Sequence, residues 1–221
     1  MTALIRKYLL GFLLYDLLFI SGLIMVFAIP KLELHLMMNS SHTAFQDLFF
    51  KSITWLGDGW FAVIISFIFL LFRYRYFFML LLSYSISGLL AQLLKRIAFP
   101  GVQRPGAFLE QMPGIETVTG VGLYHTLSFP SGHTTSAFAV LLLAGFILKS
   151  RFVFFLTMIL AWCVALSRVY LSQHFLVDVL AGSLLGTLSA LFFYWYFQRL
   201  ESNWLDKSLL TLLPGKKKQV L

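Results

Sequence analysis

The stretch FPSGHTTSAF, Phe129 to Phe138, sets a turn, a serine and a histidine at the head of an apolar run that continues as AVLLLAGFIL to Leu148. A plain membrane anchor needs none of these polar groups. Pro130-Ser131-Gly132-His133 begins the span. The first amides of a helix have no internal partners and carry the positive end of its dipole, so this start is a ready anion site. Gly132 lets the backbone approach closely, the Ser131 hydroxyl is a further donor, and His133 stands beside whatever anion docks there.

The rest of the chain fits a membrane setting. Of its 221 residues, 59% are hydrophobic and only 12% charged, against roughly 45–50% and about 25% in soluble domains. Six apolar segments are candidate spans, at about 9–29, 58–72, 76–96, 131–148, 152–171 and 174–197. The first is too long for the apolar core of a signal peptide, and no small-residue cleavage site follows it. The fold class expected is therefore all-α and polytopic, six transmembrane helices in a single domain over 1–221, with a motif-bearing core at about 76–198. The one cysteine, Cys163, lies in an apolar run and reads as a packing residue.

Net charge is +8, but the cations sit in short clusters between apolar runs and form no stripe interleaved with exposed aromatics, so no nucleic-acid partner is expected. Eleven Lys and Arg fall on one side of the predicted bundle: Arg6, Lys7, Arg73, Arg75, Lys149, Arg151, Arg199, Lys207 and Lys216–Lys218. Six fall on the other: Lys31, Lys51, Lys95, Arg96, Arg104 and Arg168. The positive-inside tendency puts the first side, with both termini, in the cytoplasm.

Two outer connections stand out. SHTAFQDLFFKSITWL spaces Phe45, Leu48, Phe49, Ile53 and Leu56 helically, with Gln46, Asp47 and Lys51 between them. This predicts an amphipathic helix on the outer membrane surface between the first and second spans, with an ordinary packed loop helix as the alternative. Gly57-Asp58-Gly59 then breaks the pattern, and Asp58 is placed to cap the next span. The loop at 97–130 holds four prolines and exceeds the length of an ordinary connection, so part of it is expected to cover a site. His35 and His42 are expected to sit in the outer surface segment of the first connection, and Asn39-Ser40-Ser41 there is a glycosylation sequon on the outside, which matters only in a eukaryote.

The stretch SRVYLSQHFLVD, Ser167 to Asp178, carries the second polar cluster. His174 and Asp178 are four apart and are expected on one helix face. A carboxylate there can accept one imidazole N–H, fix the tautomer and leave the other nitrogen free as a nucleophile. Arg168 lies across a short turn, Lys95 ends the third span and Arg104 sits in the long loop. Two histidines, one carboxylate and three cations thus converge on one membrane face. Gly182 and Gly186, like Ser83, Ser87 and Gly88, read as helix-packing positions. Asp16, inside the first span, is expected to pair near the inner side, and His125 to line the pocket.

These residues resemble the type 2 phosphatidic acid phosphatases, a superfamily of membrane lipid phosphatases that also holds soluble acid phosphatases and vanadium haloperoxidases. Its signatures are Lys-x6-Arg-Pro, Pro-Ser-Gly-His and Ser-Arg-x5-His-x3-Asp. The second stands here as Pro130–His133, and the third is unbroken as Ser167, Arg168, His174 and Asp178. The first departs, because eight residues separate Lys95 from Arg104-Pro105, with Pro100-Gly101 among them to loop out. The resemblance implies that His174 attacks phosphorus, Asp178 orients it, and His133 protonates the leaving oxygen and then activates water. It further implies that Lys95, Arg104, Ser131, Gly132 and Arg168 hold the phosphate, with no metal and no cofactor.

The expected activity is thus a metal-independent phosphatase removing phosphate from a membrane lipid phosphate or diphosphate at the outer face. If the source is bacterial, that face is the periplasmic side of the inner membrane, and candidate substrates are undecaprenyl diphosphate, phosphatidylglycerol phosphate, phosphatidate and lipid A. A lipid phosphotransferase using the same site, or a non-catalytic lipid-phosphate binder or transporter, is the alternative. The intact histidines and Asp178 weigh against the binder, since binding alone needs only the cations.

Overall fold

The computed structural model describes residues 2–212, and the lysine run Lys216–Lys218 lies outside them. It holds α1 (Thr2–Lys7), α2 (Leu9–Ala28), α3 (Lys31–Met38), α4 (Ala44–Ile53), α5 (Gly59–Leu70), α6 (Tyr74–Leu93), α7 (Gly132–Ile147), α8 (Arg151–Tyr170) and α9 (Leu176–Arg199). Among the described residues there is no strand, so the all-α expectation holds.

Four helices are long and apolar enough to cross a bilayer: Leu9–Ala28, Tyr74–Ala98, Arg151–Tyr170 and Leu176–Arg199. A fifth crossing arises if Ala44–Gly57 and Gly59–Leu70, bent by 56°, form one broken span. The count of six expected from the sequence is not reached on length and apolarity. The second segment, α5, has only 12 residues, or roughly 18 Å against a hydrocarbon core of about 30 Å. It is short because Gly57-Asp58-Gly59 interrupts the chain, and Asp58 caps α5 by accepting the Trp60 N–H at 2.8 Å. The helix expected from SHTAFQDLFF forms as α4, with Thr43 accepting the Gln46 N–H at 3.2 Å. It exposes Phe45 and Leu48 and turns Asp47 inward to take the Tyr170 hydroxyl at 2.6 Å. A separate helix that the sequence reading did not foresee, α3, precedes it.

α7 is the hub. Every residue from Thr134 to Ile147 is buried, and α6, α8 and α9 pack around it. At 16 residues it is short for a span, which fits a helix surrounded by protein and apolar on all sides. Aromatic contacts knit it to its neighbours: Phe146 stacks on Phe154 at 4.8 Å and Phe138 meets Trp162 edge-on at 5.3 Å. At the far end of the bundle, Arg75 grips both Asp206 oxygens at 2.9 and 2.8 Å and the Phe197 and Leu200 carbonyls, tying α6 to the chain beyond α9.

The small residues of the spans divide. A Cβ on Gly182 would lie 2.6 Å from the Ser131 carbonyl oxygen, and one on Gly186 would strike the Thr135 carbonyl. These two glycines therefore let α9 lie against the first turns of α7. Ser83 packs as expected, its hydroxyl 3.0 Å from that of Ser189. Gly88 does not: nothing stands within 4 Å of the place its Cβ would occupy. Asp16 also departs from expectation, lying on the exposed face of α2.

Gly182→Val is expected to destabilise the protein by about 1–3 kcal/mol, because backbone blocks the added carbons. Gly101→Ala, where nothing stands within 4 Å, is expected to stay within about 0.5 kcal/mol. Thermal melts of both variants in detergent check the contrast.

Candidate active site

The carboxylate of Asp178 joins the parts of the site. Its Oδ2 accepts from the Ser128 hydroxyl at 2.5 Å and from the Phe175 N–H at 3.0 Å, and lies 3.3 Å from His174 Nδ1. Its backbone carbonyl takes the Ser131 N–H at 2.9 Å. His174 and Asp178 do not share a helix face as the spacing suggested, because α9 starts at Leu176 and His174 lies in the turn before it. The pair meets through the helix start: Asp178 is the third residue of α9, and its side chain folds back onto the orphan amide ahead of the helix. Burial pushes the His174 imidazole down to about 3, against the raising effect of Asp178. The ring is therefore neutral, and with Nδ1 facing Asp178 and Ser128 its Nε2 keeps a lone pair.

The turn that carries His174 is braced from behind. Its N–H and that of Gln173 both bond the Arg168 carbonyl, at 3.0 and 2.9 Å. The Asn39 amide donates to the Tyr170 carbonyl at 2.8 Å, to the Ser172 hydroxyl at 3.1 Å and to the Val169 carbonyl at 3.3 Å. Asn39 Oδ1 lies 2.6 Å from His42 Nε2, and His42 Nδ1 lies 3.0 Å from Asp47. His35, buried, stands 3.3 Å from the Ser172 hydroxyl, and burial lowers it to about 4. His35 and His42 are thus internal supports of the turn and not groups of an outer surface. The sequon is closed as well, since Asn39 is 1% exposed and its amide is engaged.

The second histidine stands at the start of α7. Ser131 caps that helix, its hydroxyl oxygen taking the Thr134 hydroxyl at 2.9 Å. Gly132 follows, then His133, whose Nε2 lies 3.8 Å from Asp58 Oδ2. Arg168 is 7% exposed. Its Nη1 donates to the Thr54 hydroxyl at 2.7 Å, while its Nε is buried with no partner among the described residues. An orphaned buried donor of this kind suits an anion. Arg104 gives three of its five N–H groups to carbonyls, those of Thr126, Gln173 and Leu127 at 2.9, 3.3 and 3.4 Å. Lys95 is buried in a π-helical turn, Leu94–Ala98, at the end of α6. That wider turn, followed by the bend at Pro100-Gly101, takes up the extra residues before Arg104. Lys95 lies within electrostatic reach of Arg104, Arg168 and Asp178.

All eight sequence-predicted residues thus sit around one end of α7, whereas His125 is exposed and supplies only its carbonyl, to the Arg104 amide at 2.9 Å. Sequence reasoning missed Ser128, Thr54, Asp58 as a neighbour of His133, Asn39 and Gln173. Each acts across the chain, Ser128 on a carboxylate 50 positions away, so no local spacing announces it.

Two outcomes follow from the geometry. Below about pH 6.5, the ordinary value for histidine, the unfolded chain takes up protons that His174 and His35 refuse. Stability is therefore full above that pH and is lost as the pH falls toward 4 and then 3. The Tm in detergent should fall between about pH 7 and pH 4, and His35→Gln with His174→Gln should flatten that fall; an equally steep fall in the double variant contradicts the assignment. Asn39→Leu strands buried carbonyls and is expected to cost about 1–3 kcal/mol in the same melts.

Residues 75–202, more than half of the chain, match the family described as the PAP2 superfamily. Among curated proteins, the chain is 41% identical over 79 residues to the bacitracin transport permease protein BcrC of Bacillus licheniformis, covering 34% of this chain and 36% of that protein. It is 29% identical over 107 residues to the lipid A 4'-phosphatase of Porphyromonas gingivalis, 48% of this chain and 44% of that one. The matches thus span well under two thirds of those relatives. In fold, the chain is similar to the crystal structure of a transmembrane PAP2-type phosphatidylglycerolphosphate phosphatase from Bacillus subtilis. That likeness has a TM-score of 0.64 and 23% identity, covering 89% of this chain and 98% of that one. The Aquifex aeolicus LpxE structure gives 0.63 and 24%, over 75% and 95%. With its motifs, its fold and the family match in agreement, this integral membrane chain belongs to the PAP2 superfamily.

Proposed function

We propose that the protein is a metal-independent lipid phosphatase working through a phosphohistidine on His174. The observation that carries this reading is the buried His174, its Nδ1 facing Asp178 and Ser128. Such a ring presents Nε2 as a nucleophile. Nε2 attacks phosphorus in line, the N–P bond forms, and the P–O bond to the leaving group breaks. His133 gives its proton to the leaving oxygen. It then takes a proton from water, which attacks phosphorus, breaks the N–P bond and releases inorganic phosphate. Asp178 stabilises the imidazolium-like ring formed between the two steps.

Charge gathers on the equatorial oxygens during phosphoryl transfer, so fixed donors there carry most of the catalysis. Arg104 and Arg168 act electrostatically on both imidazoles, which suits a phosphate held between them. Lys95 and the amides after Ser131 complete the clamp, and the three cations supply the charge a metal would otherwise provide. The substrates are lipid phosphates at the outer leaflet: undecaprenyl diphosphate, phosphatidylglycerol phosphate, phosphatidate or lipid A. The proposed topology is a single domain with six crossings, α4 on the outer surface and both termini cytoplasmic. The site then opens to the periplasm of a bacterial inner membrane.

Purified protein in detergent is expected to release phosphate from at least one of these lipids, with or without chelator. His174→Ala should abolish release while retaining substrate binding. His133→Ala should slow poor leaving groups most, by about 10²–10⁴-fold. Full activity in His174→Ala sinks the mechanism, and phosphate found on an acceptor molecule marks a transferase.

A further inference from the structure

A cavity of about 130 Å³ lies beside the turn that carries His174, between the end of α2, α3 and the start of α9. Val26, Leu34, Phe175 and Leu176 line it, together with two polar groups, Lys31 and His35. An apolar cavity of roughly 150 Å³ stays dry and takes up a six-carbon hydrocarbon, so this one suits a short length of acyl chain. Next to the lining residues Val26 and Met38, Phe27 and Met37 are 86% and 55% exposed. The surroundings of the cavity on α2 and α3 are thus apolar, as the hydrocarbon of a bilayer requires.

Lys31 gives this cavity a charge. Its Nζ stands 3.9 Å from the centre of the Phe175 ring and 5.1 Å from that of Phe108, and among the described residues it forms no salt bridge. Asp178 acts on it through space, but that carboxylate is engaged by Ser128, the Phe175 N–H and His174. An ammonium held by two aromatic faces, without a counter-ion, is ready for an anion at the edge of an apolar space. On the same wall His35 is 1% exposed, and its Nδ1 has no partner among the described residues. A phospholipid meets both needs, with its phosphate for Lys31 and the ester oxygens at the head of its chains for the imidazole.

The walls of the cavity are tied to the turn. His35 Nε2 lies 3.3 Å from the Ser172 hydroxyl, and Ser172 has a φ of 51°, a left-handed conformation that its surroundings must hold. Phe175 follows His174 directly, gives its N–H to Asp178 and meets His35 edge-on at 5.2 Å. We propose that this cavity is a lipid site separate from the phosphate clamp. It takes an acyl chain of a phospholipid of net negative charge, with the headgroup phosphate on Lys31, and the bound lipid steadies the turn at 172–175. A zwitterionic headgroup brings its own cation to Lys31 and binds less well. The site asks no chemistry of His174, so it stands or falls apart from the phosphatase reading.

Native mass spectrometry of the purified protein, titrated with dioleoyl phosphatidylglycerol or dioleoyl phosphatidylcholine, reads the binding, and hydrogen exchange of the amides at 170–176 reads the turn. Phosphatidylglycerol is expected to bind at least about fivefold more tightly than phosphatidylcholine and to slow exchange of those amides by about fivefold or more. Val26→Trp fills the cavity from a half-buried position on α2, and Lys31→Gln removes its charge. Each should weaken phosphatidylglycerol binding by about fivefold or more and remove the slowing; should one variant not fold, the other carries the test. A lipid held only in the phosphate clamp is indifferent to both substitutions, so unchanged affinity in the variants overturns the proposal. Equal affinity for the two lipids, or exchange at 170–176 unmoved by bound lipid, overturns it as well. So does a dimer that Val26→Trp disperses, which gives the cavity to a second copy of the chain.

Discussion

The arrangement of the site depends on the three contacts of Asp178 Oδ2, to Ser128, Phe175 and His174. One buried oxygen joins the long loop, the turn after α8 and the start of α9, while the carbonyl of the same residue holds the start of α7. A carboxylate that binds several donors is fixed in position by them, and it fixes them in return. The orientation of the imidazole is thus set by a junction that also sets the distance between two helices. Gly182 is the steric counterpart, since only the absence of a Cβ allows α9 this close to Ser131.

Much of this was legible in the chain. The apolar runs gave the bundle, and the Pro-Ser-Gly-His and Ser-Arg-x5-His-x3-Asp motifs gave the site residues by position. Legibility stopped where contacts cross the chain. Nothing near Asn39 indicates that its amide holds the turn at 169–172, and nothing near Ser128 points to Asp178. The His174–Asp178 spacing predicts a shared helix face, yet a helix start delivers the same contact, because both geometries bring positions four apart together. The crossing count is not settled by apolarity for a related reason: apolarity marks α5 as a candidate span but says nothing of the bend of 56° at Gly57-Asp58-Gly59.

The motif-bearing region and its supports have different origins in the chain. Residues 75–202 match the family and contain every group assigned to phosphate chemistry. The braces come from before that region: Asn39 on the turn, Thr54 on Arg168, and Asp58 beside His133. The segments around α3 and α4 therefore form a frame against the motif-bearing region, contacting residues on which the motifs place no support of their own.

The two histidines sit in unlike surroundings, and that difference suits two roles. His174 is 2% exposed and walled by protein, which suits the proposed nucleophile by keeping water away from it. The His133 side chain is 36% exposed and borders a cavity between α5, α6 and α7, where, on the proposed mechanism, a leaving group can depart and water can enter. A nucleophile needs a lone pair and no competitor, whereas a group that first donates and later accepts a proton needs traffic past it. An enclosed imidazole beside Asp178 and a half-exposed one beside Asp58 meet both needs with the same residue type.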